Sequence, residues 1–376
     1  MKRSLRVGVT LAVRESAQSI WENGIFQNCA FLVQSLRHSP LVGQAVLLTN
    51  RPQVPRLSPD LLLQSSGLAL MGLDEALQAL DVVIEMSAQL DTEWVQAFGL
   101  RGGRLVSMYV GNTYVIDVER ALFAQPPAGL WDRRRRDAVW TLPQYRRSCR
   151  AYLEVNTRCP VRELPHLWSP FFVQQACAGL AAGARFGYAP GRARWRLCGF
   201  EPNLCMVKTA LIPLLAGELA YRQRPGSIEA LRLCNALAWR EHAGVAALVR
   251  GLDVVRDGVA RFEPRYATYE LMAHHGDCVI SHQWENEQNY LHYELLWGGY
   301  PLVHNCEPLR ELGYYYQGFD CHGAAAALLR ALDGHDAGLA EHRGRAAAWL
   351  RGLDPGDARN VACYTAELQR LVAGGR

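Results

Sequence analysis

Short apolar runs and helical periodicities take turns along most of this chain. Strand-like runs fall at residues 5–11, 45–48, 68–71, 82–86 and 105–110, and apolar residues recur at helical spacing over 25–36, 74–80 and 92–100. A further strand follows residue 137, then a helix over about 144–155. Strands that are nearly all apolar and alternate with helices predict a parallel sheet covered on both faces. Residues 178–194, rich in Gly, Ala and Arg and carrying Pro190, predict a linker. The alternation then resumes, with strands at 195–200, 231–236, 253–255, 278–281 and 301–303 and helices at 205–221, 242–251, 266–275 and 288–297. Ala-rich helices over 324–332, 339–350 and 360–372 close the chain. The pattern predicts an α/β protein of two Rossmann-like doubly wound domains, residues 1–177 and 178–352. Residues 353–376 form a last helix, free to pack back on the first domain. Such domains place a ligand cleft between them, at the carboxyl ends of both sheets.

Composition narrows the picture. With 376 residues, 49% hydrophobic and 20% charged, the chain can fill two ordinary cores, which excludes a disordered or collagen-like chain. Its first residues imitate a secretory signal for a short stretch. They then run into Arg14 and Glu15, so a first strand is the better reading, and no run reaches membrane-helix length. Eleven cysteines, an odd count without metal-site spacing, suit reduced thiols and a cytoplasmic setting. A net charge of +4 is too mild for a nucleic-acid partner. Only two lysines stand against 38 arginines, a bias typical of a GC-rich bacterial genome, and Lys208 is the one inside the fold.

Residues 277–311 carry the densest chemistry. A strand ends at Ser281-His282, a polar loop follows, and a helix is expected to open near Asn286. Its unpaired amides would offer a seat for a diphosphate. Glu287 and Glu294, seven residues apart, would then share a face, and Gly298-Gly299 would end the helix. In the first half, the loop from Arg14 to Gly24 is long for a strand-to-helix connection, and such loops tend to be functional. Glu22 is the candidate general base, oriented by Asn23 and Gln27, with Trp21, Asn112 and Tyr114 as further acceptor contacts and Glu85 at a strand end. Plainer readings stand beside these. Ser19 and Glu22 have capping-box spacing; His282 and His304, each ending an apolar strand, are candidate donor contacts or else hydrogen-bonded core residues; and Trp284, Tyr290, Tyr293, Trp297 and Tyr314–Tyr316 either stack a nucleobase or sugar or belong to a core. The run Arg133–Arg136, with Arg146, Arg147 and Arg150 nearby, reads as an exposed loop or as a contact for an anionic acceptor or a membrane surface.

The stretch from Glu294 through Gly298-Gly299 to Pro301-Leu302-Val303 resembles the E-A-x-x-x-G-x-P-V-V segment of GT-B nucleotide-sugar glycosyltransferases. The resemblance implies that Glu294 takes the donor ribose, that Glu307 or Glu311 completes the pattern, and that the preceding helix start takes the diphosphate. Glu285 and Glu287 lie nine and seven residues before Glu294, where the family spaces its acids by eight, and Asn286, Gln288 and Asn289 replace its glycine-rich turn. A carboxylate there would repel phosphate, so Glu285 or Glu287 is assigned to sugar hydroxyls. The loop Phe200-Glu-Pro-Asn-Leu-Cys-Met-Val-Lys208 is similarly placed to the family's phosphate-binding loop, which implies Lys208 as catalytic cation, with Glu201 and Asn203 lining the donor site. No Asp-x-Asp metal motif is present among the 376 residues. The whole chain also resembles an uncharacterised proteobacterial family of glycosyltransferase-like proteins, through Trp21-Glu22-Asn23-Gly24 and Pro301–Asn305.

The expectation is therefore a metal-independent transferase without cofactor. It would move a sugar from a nucleotide-diphosphate donor to a glycan, protein or metabolite hydroxyl. Glu22 as base would belong to an inverting reaction only. The alternatives are a non-catalytic nucleotide- or sugar-binding protein of the same fold, or a sugar-nucleotide epimerase.

Overall fold

The computed structural model describes residues 4–14, 18–126, 134–287 and 289–374. The chain forms two compact units, Met1–Phe172 with Arg351–Arg376, and Val173–Leu350.

The first unit is built on strands β1 (Leu5–Leu11), β2 (Val42–Thr49), β3 (Leu70–Met71), β4 (Val82–Glu85), β5 (Arg104–Tyr109), β6 (Ala138–Thr141) and β7 (Val161–Glu163). All pair in parallel, in the order β3-β2-β1-β4-β5-β6-β7. This is the doubly wound order, with its reversal between β1 and β4. Every residue of β4 is buried, as a strand covered on both faces requires. On one face Leu48, Leu80, Val83, Phe98 and Leu105 form a continuous core. The helix Ala358–Ala373 belongs to this unit: Tyr364 donates to the Pro165 carbonyl at 2.7 Å and Thr365 to Ser39 at 2.8 Å.

The second unit carries β8 (Trp195–Gly199), β9 (Ile228–Leu233), β10 (Ala260–Phe262), β11 (Cys278–Ile280), β12 (Leu302–His304) and β13 (Tyr314–Tyr315). They are parallel in the order β10-β9-β8-β11-β12-β13, with the reversal between β8 and β11. All eleven cysteines are free thiols. No helix among the described residues is long and apolar enough to cross a membrane.

Several elements differ from the sequence reading, each for a local reason. Residues 253–255, expected as a strand, open the helical turn Asp253–Arg256, because the buried Glu218 carboxylate accepts from the amides of Asp253 and Val254, both at 2.9 Å. A helix expected from residue 205 starts at Leu211, leaving an irregular loop where the site chemistry collects. A helix absent from the sequence reading, Thr113–Leu122, opens after Asn112, which caps it. Two expected Ala-rich helices fuse into one of 30 residues, Cys321–Leu350. Gly334 and Gly338 have open space around them and, without a proline, weaken that helix but do not end it.

Candidate functional site

In a doubly wound sheet, ligands bind outside the carboxyl ends of the strands where the strand order reverses. In the second unit that point lies between the loops after β8 and β11, and the side chains of both loops meet there. Glu201, 1% exposed, accepts from the Ser281 hydroxyl at 2.6 Å and from the His282 amide at 3.0 Å. With its proton committed to Glu201, Ser281 accepts at 2.8 Å from His292 Nε2, so that nitrogen carries the hydrogen. Burial pushes the Glu201 carboxyl up, and the Ser281 hydroxyl, the Lys208 ammonium and the His282 amide pull it back. Burial also lowers the half-buried Lys208, and the Glu201 carboxylate opposes that. His292 falls well below the ordinary imidazole range through burial, with His304 and Lys208 adding to it. One carboxylate, one ammonium and a neutral imidazole thus lie close enough to influence one another electrostatically.

The loops are held rigidly. Asn203 takes a left-handed backbone (φ 54°), one of the conformations that asparagine tolerates. Its Oδ1 accepts from the Ala210 amide at 2.8 Å and its Nδ2 donates to the carbonyls of Glu201 and Asn235. Asn203 therefore shapes the loop that presents Lys208, and its amide is not available to the donor as expected. The helix Leu211–Gln223 that follows has no side-chain cap at its start. On the other side, Asn305 grips the loop after β11: its Oδ1 accepts from the Gln283 amide at 3.0 Å, and its Nδ2 donates to the carbonyls of Gln283 and Gly318 at 2.6 and 3.0 Å. That is the structural use of the Pro301–Asn305 segment.

His282 and His304 part company. Tyr316 spends its proton on the Ser281 carbonyl at 2.9 Å, and Asn305 Nδ2, 3.3 Å from His282 Nδ1, spends its two hydrogens on the closer Gln283 and Gly318 carbonyls, so His282 Nδ1, 3.0 Å from the phenol oxygen, is the donor to it and Nε2 keeps a lone pair. Burial lowers His282 to about 4. His304 accepts from the Cys306 amide through Nδ1 and donates to the Leu312 carbonyl through Nε2. Both nitrogens are in use in a fully enclosed ring, so His304 is a core residue and not the donor contact expected of it.

The helix after β11 starts at Tyr290, not near Asn286, with Asn289 as its N-cap accepting from Leu291 at 3.3 Å. Asparagine is among the strongest N-cap residues, which fixes the start four residues later than expected. Glu287 consequently lies outside the helix and shares no helical face with Glu294. Glu285, with φ 48°, and Asn286 lie in the loop; burial raises the Glu287 carboxyl. Gln288 lies outside the described residues. Glu294 is buried in the helix, whose left-handed stop is Gly299 at φ 71°. Gln283 was not singled out from the sequence. It is 3% exposed, and neither atom of its side-chain amide has a hydrogen-bond partner among the described residues. Ser281, His292 and Asn305 have no site role in the sequence reading, and Tyr316 enters it only among aromatic residues suited to stacking or to a core; the Ser-His pair closing a strand is the one signal for Ser281.

In the first unit the expected acceptor residues scatter into separate tasks. Glu22 accepts from the Ser19 amide at 3.0 Å and pairs with Arg14 at 2.6 Å. Asn23, not Ser19, caps the helix Gly24–Arg37, which is the local use of the Trp21–Gly24 segment. Trp21 is half-buried, and Gln27 is buried on that helix. Asn112 is fully buried as a cap, and Tyr114 packs edge-on against Tyr152 at 5.3 Å while staying 44% exposed. Neither reading of the arginine run holds for Arg134 and Arg136. Both are buried: Arg134 donates to Glu85 at 2.8 Å and also to the Leu90 carbonyl, and Arg136 donates to Ser107 at 2.9 Å. In an extended segment alternate side chains face the same way, so Arg135 points out to Asp137. Arg133 lies outside the described residues. Glu85 is thereby committed to an internal ion pair and to Ser107. Among the described residues no group of three or more His, Cys, Asp or Glu side chains is placed to hold a metal ion.

Comparison with known structures places this architecture. A glycosyltransferase from Rickettsia africae aligns with a TM-score of 0.58 at 10% identity, over 97% of this chain and 99% of that one. The trehalose-6-phosphate phosphatase N-terminal domain of Candida albicans aligns at 0.57 and 9%, over 100% and 98%. Anabaena HepE in complex with UDP aligns at 0.55 and 12%, over 98% and 100%. Identities this low show the fold alone: two helix-flanked parallel sheets, as in the GT-B glycosyltransferases. No curated protein matches the sequence. The model of the family described as "Protein of unknown function (DUF2827)" matches residues 7–368, and the chain belongs to that family.

Proposed function

We propose that this chain is a glycosyltransferase whose second unit seats a nucleoside-diphosphate sugar and whose reaction passes the sugar to an acceptor hydroxyl without a metal. The observation that carries the reading is the junction of Glu201, Ser281, His292 and Lys208 at the strand-order reversal of the second sheet. Lys208 stands near the buried Glu201 carboxylate, and an ammonium there stabilises the negative charge that grows on a departing diphosphate. Because hydrogen bonds made by Asn203 hold beforehand the loop that carries Lys208, little reorganisation is needed during the reaction. Glu294 would hold the ribose, and His282 Nε2 would accept from a donor hydroxyl. The complex of HepE with UDP, within the same fold, supports a uridine donor class.

Thermal-shift and calorimetric titration with UDP, GDP and dTDP tests this. One nucleotide should stabilise the protein, with slow hydrolysis of its sugar conjugate. Lys208→Ala should weaken that affinity by about 10–100-fold, the value of a charge-assisted contact. Unchanged affinity in both Lys208→Ala and Glu294→Ala would sink the assignment. One observation favours a second reading: Asn289 already occupies an amide at the helix start expected to hold phosphate. Nucleotide binding with no donor hydrolysis across acceptors would select a binding protein of the same fold.

A further inference from the structure

A cavity of about 370 Å³ opens in the first unit, lined by Val13, Arg14, Arg51, Pro52, Gln53 and Pro55. These residues directly follow β1 and β2, so the cavity lies at the carboxyl edge of that sheet, the ligand-binding edge of a doubly wound fold. Both walls are pinned by the backbone. The Val13 amide donates to Asn50 Oδ1 at 3.2 Å, and the carbonyls of Arg51 and Pro52 accept from Leu73 and Asp74 at 2.9 and 3.2 Å. The helix that starts at Leu73 therefore spends those amides on the loop, and charge in the cavity comes from side chains. The two guanidiniums differ. Arg14 is neutralised by Glu22 at 2.6 Å, whereas the exposed Arg51 guanidinium has no hydrogen bond or ion pair among the described residues. Each offers the planar fork that matches a phosphate or carboxylate.

We propose that this cavity binds an anionic group, phosphate or carboxylate, carried by the acceptor, with Arg51 as its principal contact and the Glu22–Arg14 pair beside it. As an acceptor site it rests on the glycosyltransferase reading; as an anion site it does not. Glu22, oriented by Arg14 and the Ser19 amide, then stands next to the acceptor, where a carboxylate could take a hydroxyl proton.

The test titrates the full-length protein, saturated with UDP to fill the donor site, with glucose 6-phosphate, glucuronate and glucose. At least one anionic sugar should bind about tenfold or more tightly than glucose, with an affinity that falls as salt rises. Arg51→Ala should erase that difference, Arg51→Lys should keep part of it, and UDP affinity should stay the same in all three proteins. A preference for the phosphate over the glucuronate, or the reverse, identifies the group. Equal binding of all three sugars, or an anion preference that survives Arg51→Ala, overturns the proposal. Failure of UDP to bind would instead overturn the donor reading, and the same titrations on the nucleotide-free protein would still decide the role of Arg51.

Discussion

The two sheets reverse their strand order in the same way yet furnish the reversal with opposite chemistry. Between β1 and β4 the crevice is sewn shut by short neutral groups: the Thr10 hydroxyl donates to the Ala88 carbonyl at 2.7 Å and accepts from Met86, and Ser87 accepts from Ala12 at 2.8 Å. Between β8 and β11 the same place holds a carboxylate, an ammonium and two imidazoles, each displaced by burial. Ionisable groups are costly to bury. They persist there because the loops satisfy most of one another's polar groups; among the described residues the Gln283 side-chain amide has no hydrogen-bond partner. Topology sets where a ligand can go; the titratable content says which of the two strand-order reversals is prepared for one.

Acid should expose this contrast most strongly. His282 and His304 sit at about 4 in the folded protein, against an ordinary 6.5. The unfolded chain therefore binds more protons than the folded one between those values. The stability these groups contribute is present above pH 6.5 and lost as pH falls toward 4, at about 3 kcal/mol for each residue. His292 acts with the same sign. Glu201, raised by burial, acts oppositely, because it gains as it protonates. Hydrogen exchange followed peptide by peptide, corrected for its intrinsic pH dependence, should show β8–β13 losing protection before β1–β7 between pH 6.5 and 4. Simultaneous loss in both sheets would break the comparison.

Glu85 and Glu201, a buried carboxylate from each unit, should separate next. Glu85→Gln leaves Arg134 buried without its counter-charge, and a cost of about 3–5 kcal/mol is expected in denaturant titration, with UDP affinity untouched. Glu201→Gln keeps an oxygen for Ser281 and His282 and should cost only about 1–3 kcal/mol. It removes the charge that offsets Lys208, however, so UDP affinity should change. If Glu85→Gln altered nucleotide binding while Glu201→Gln did not, the donor site would be in the wrong unit.

How far the sequence discloses this arrangement follows from its physics. The parallel α/β architecture is legible because strands such as Cys278–Ile280 are buried throughout and so read as apolar runs. The switch loops are legible as regions: Lys208, Glu201 and His282 stand in the right places. Their pairings are not, because Ser281 meets Glu201 across 80 residues and no local spacing encodes that contact. Element starts fail where a cap is decisive, as at Asn112 and Asn289, or where the cap comes from another helix, as Glu218 does for Asp253. The arginine run misleads because charge alone does not reveal that Glu85 waits in the core for Arg134.

The smallest effect gives the finest cut. Asn112 and Asn289 perform one task in the two units, each capping the helix after a sheet strand, and each replacement by Ala should cost about 1 kcal/mol in denaturant titration. Their effects on nucleotide should diverge. Asn112→Ala should leave UDP affinity where it was. Asn289→Ala frees the Leu291 amide at the positive end of a helix, and a diphosphate seated there would gain it as a donor. UDP should then bind about two- to fivefold more tightly despite the lower stability, the size of one helix-terminus interaction. A loss of affinity in proportion to stability would mean that the helix start meets no phosphate and that Lys208 carries the diphosphate without it.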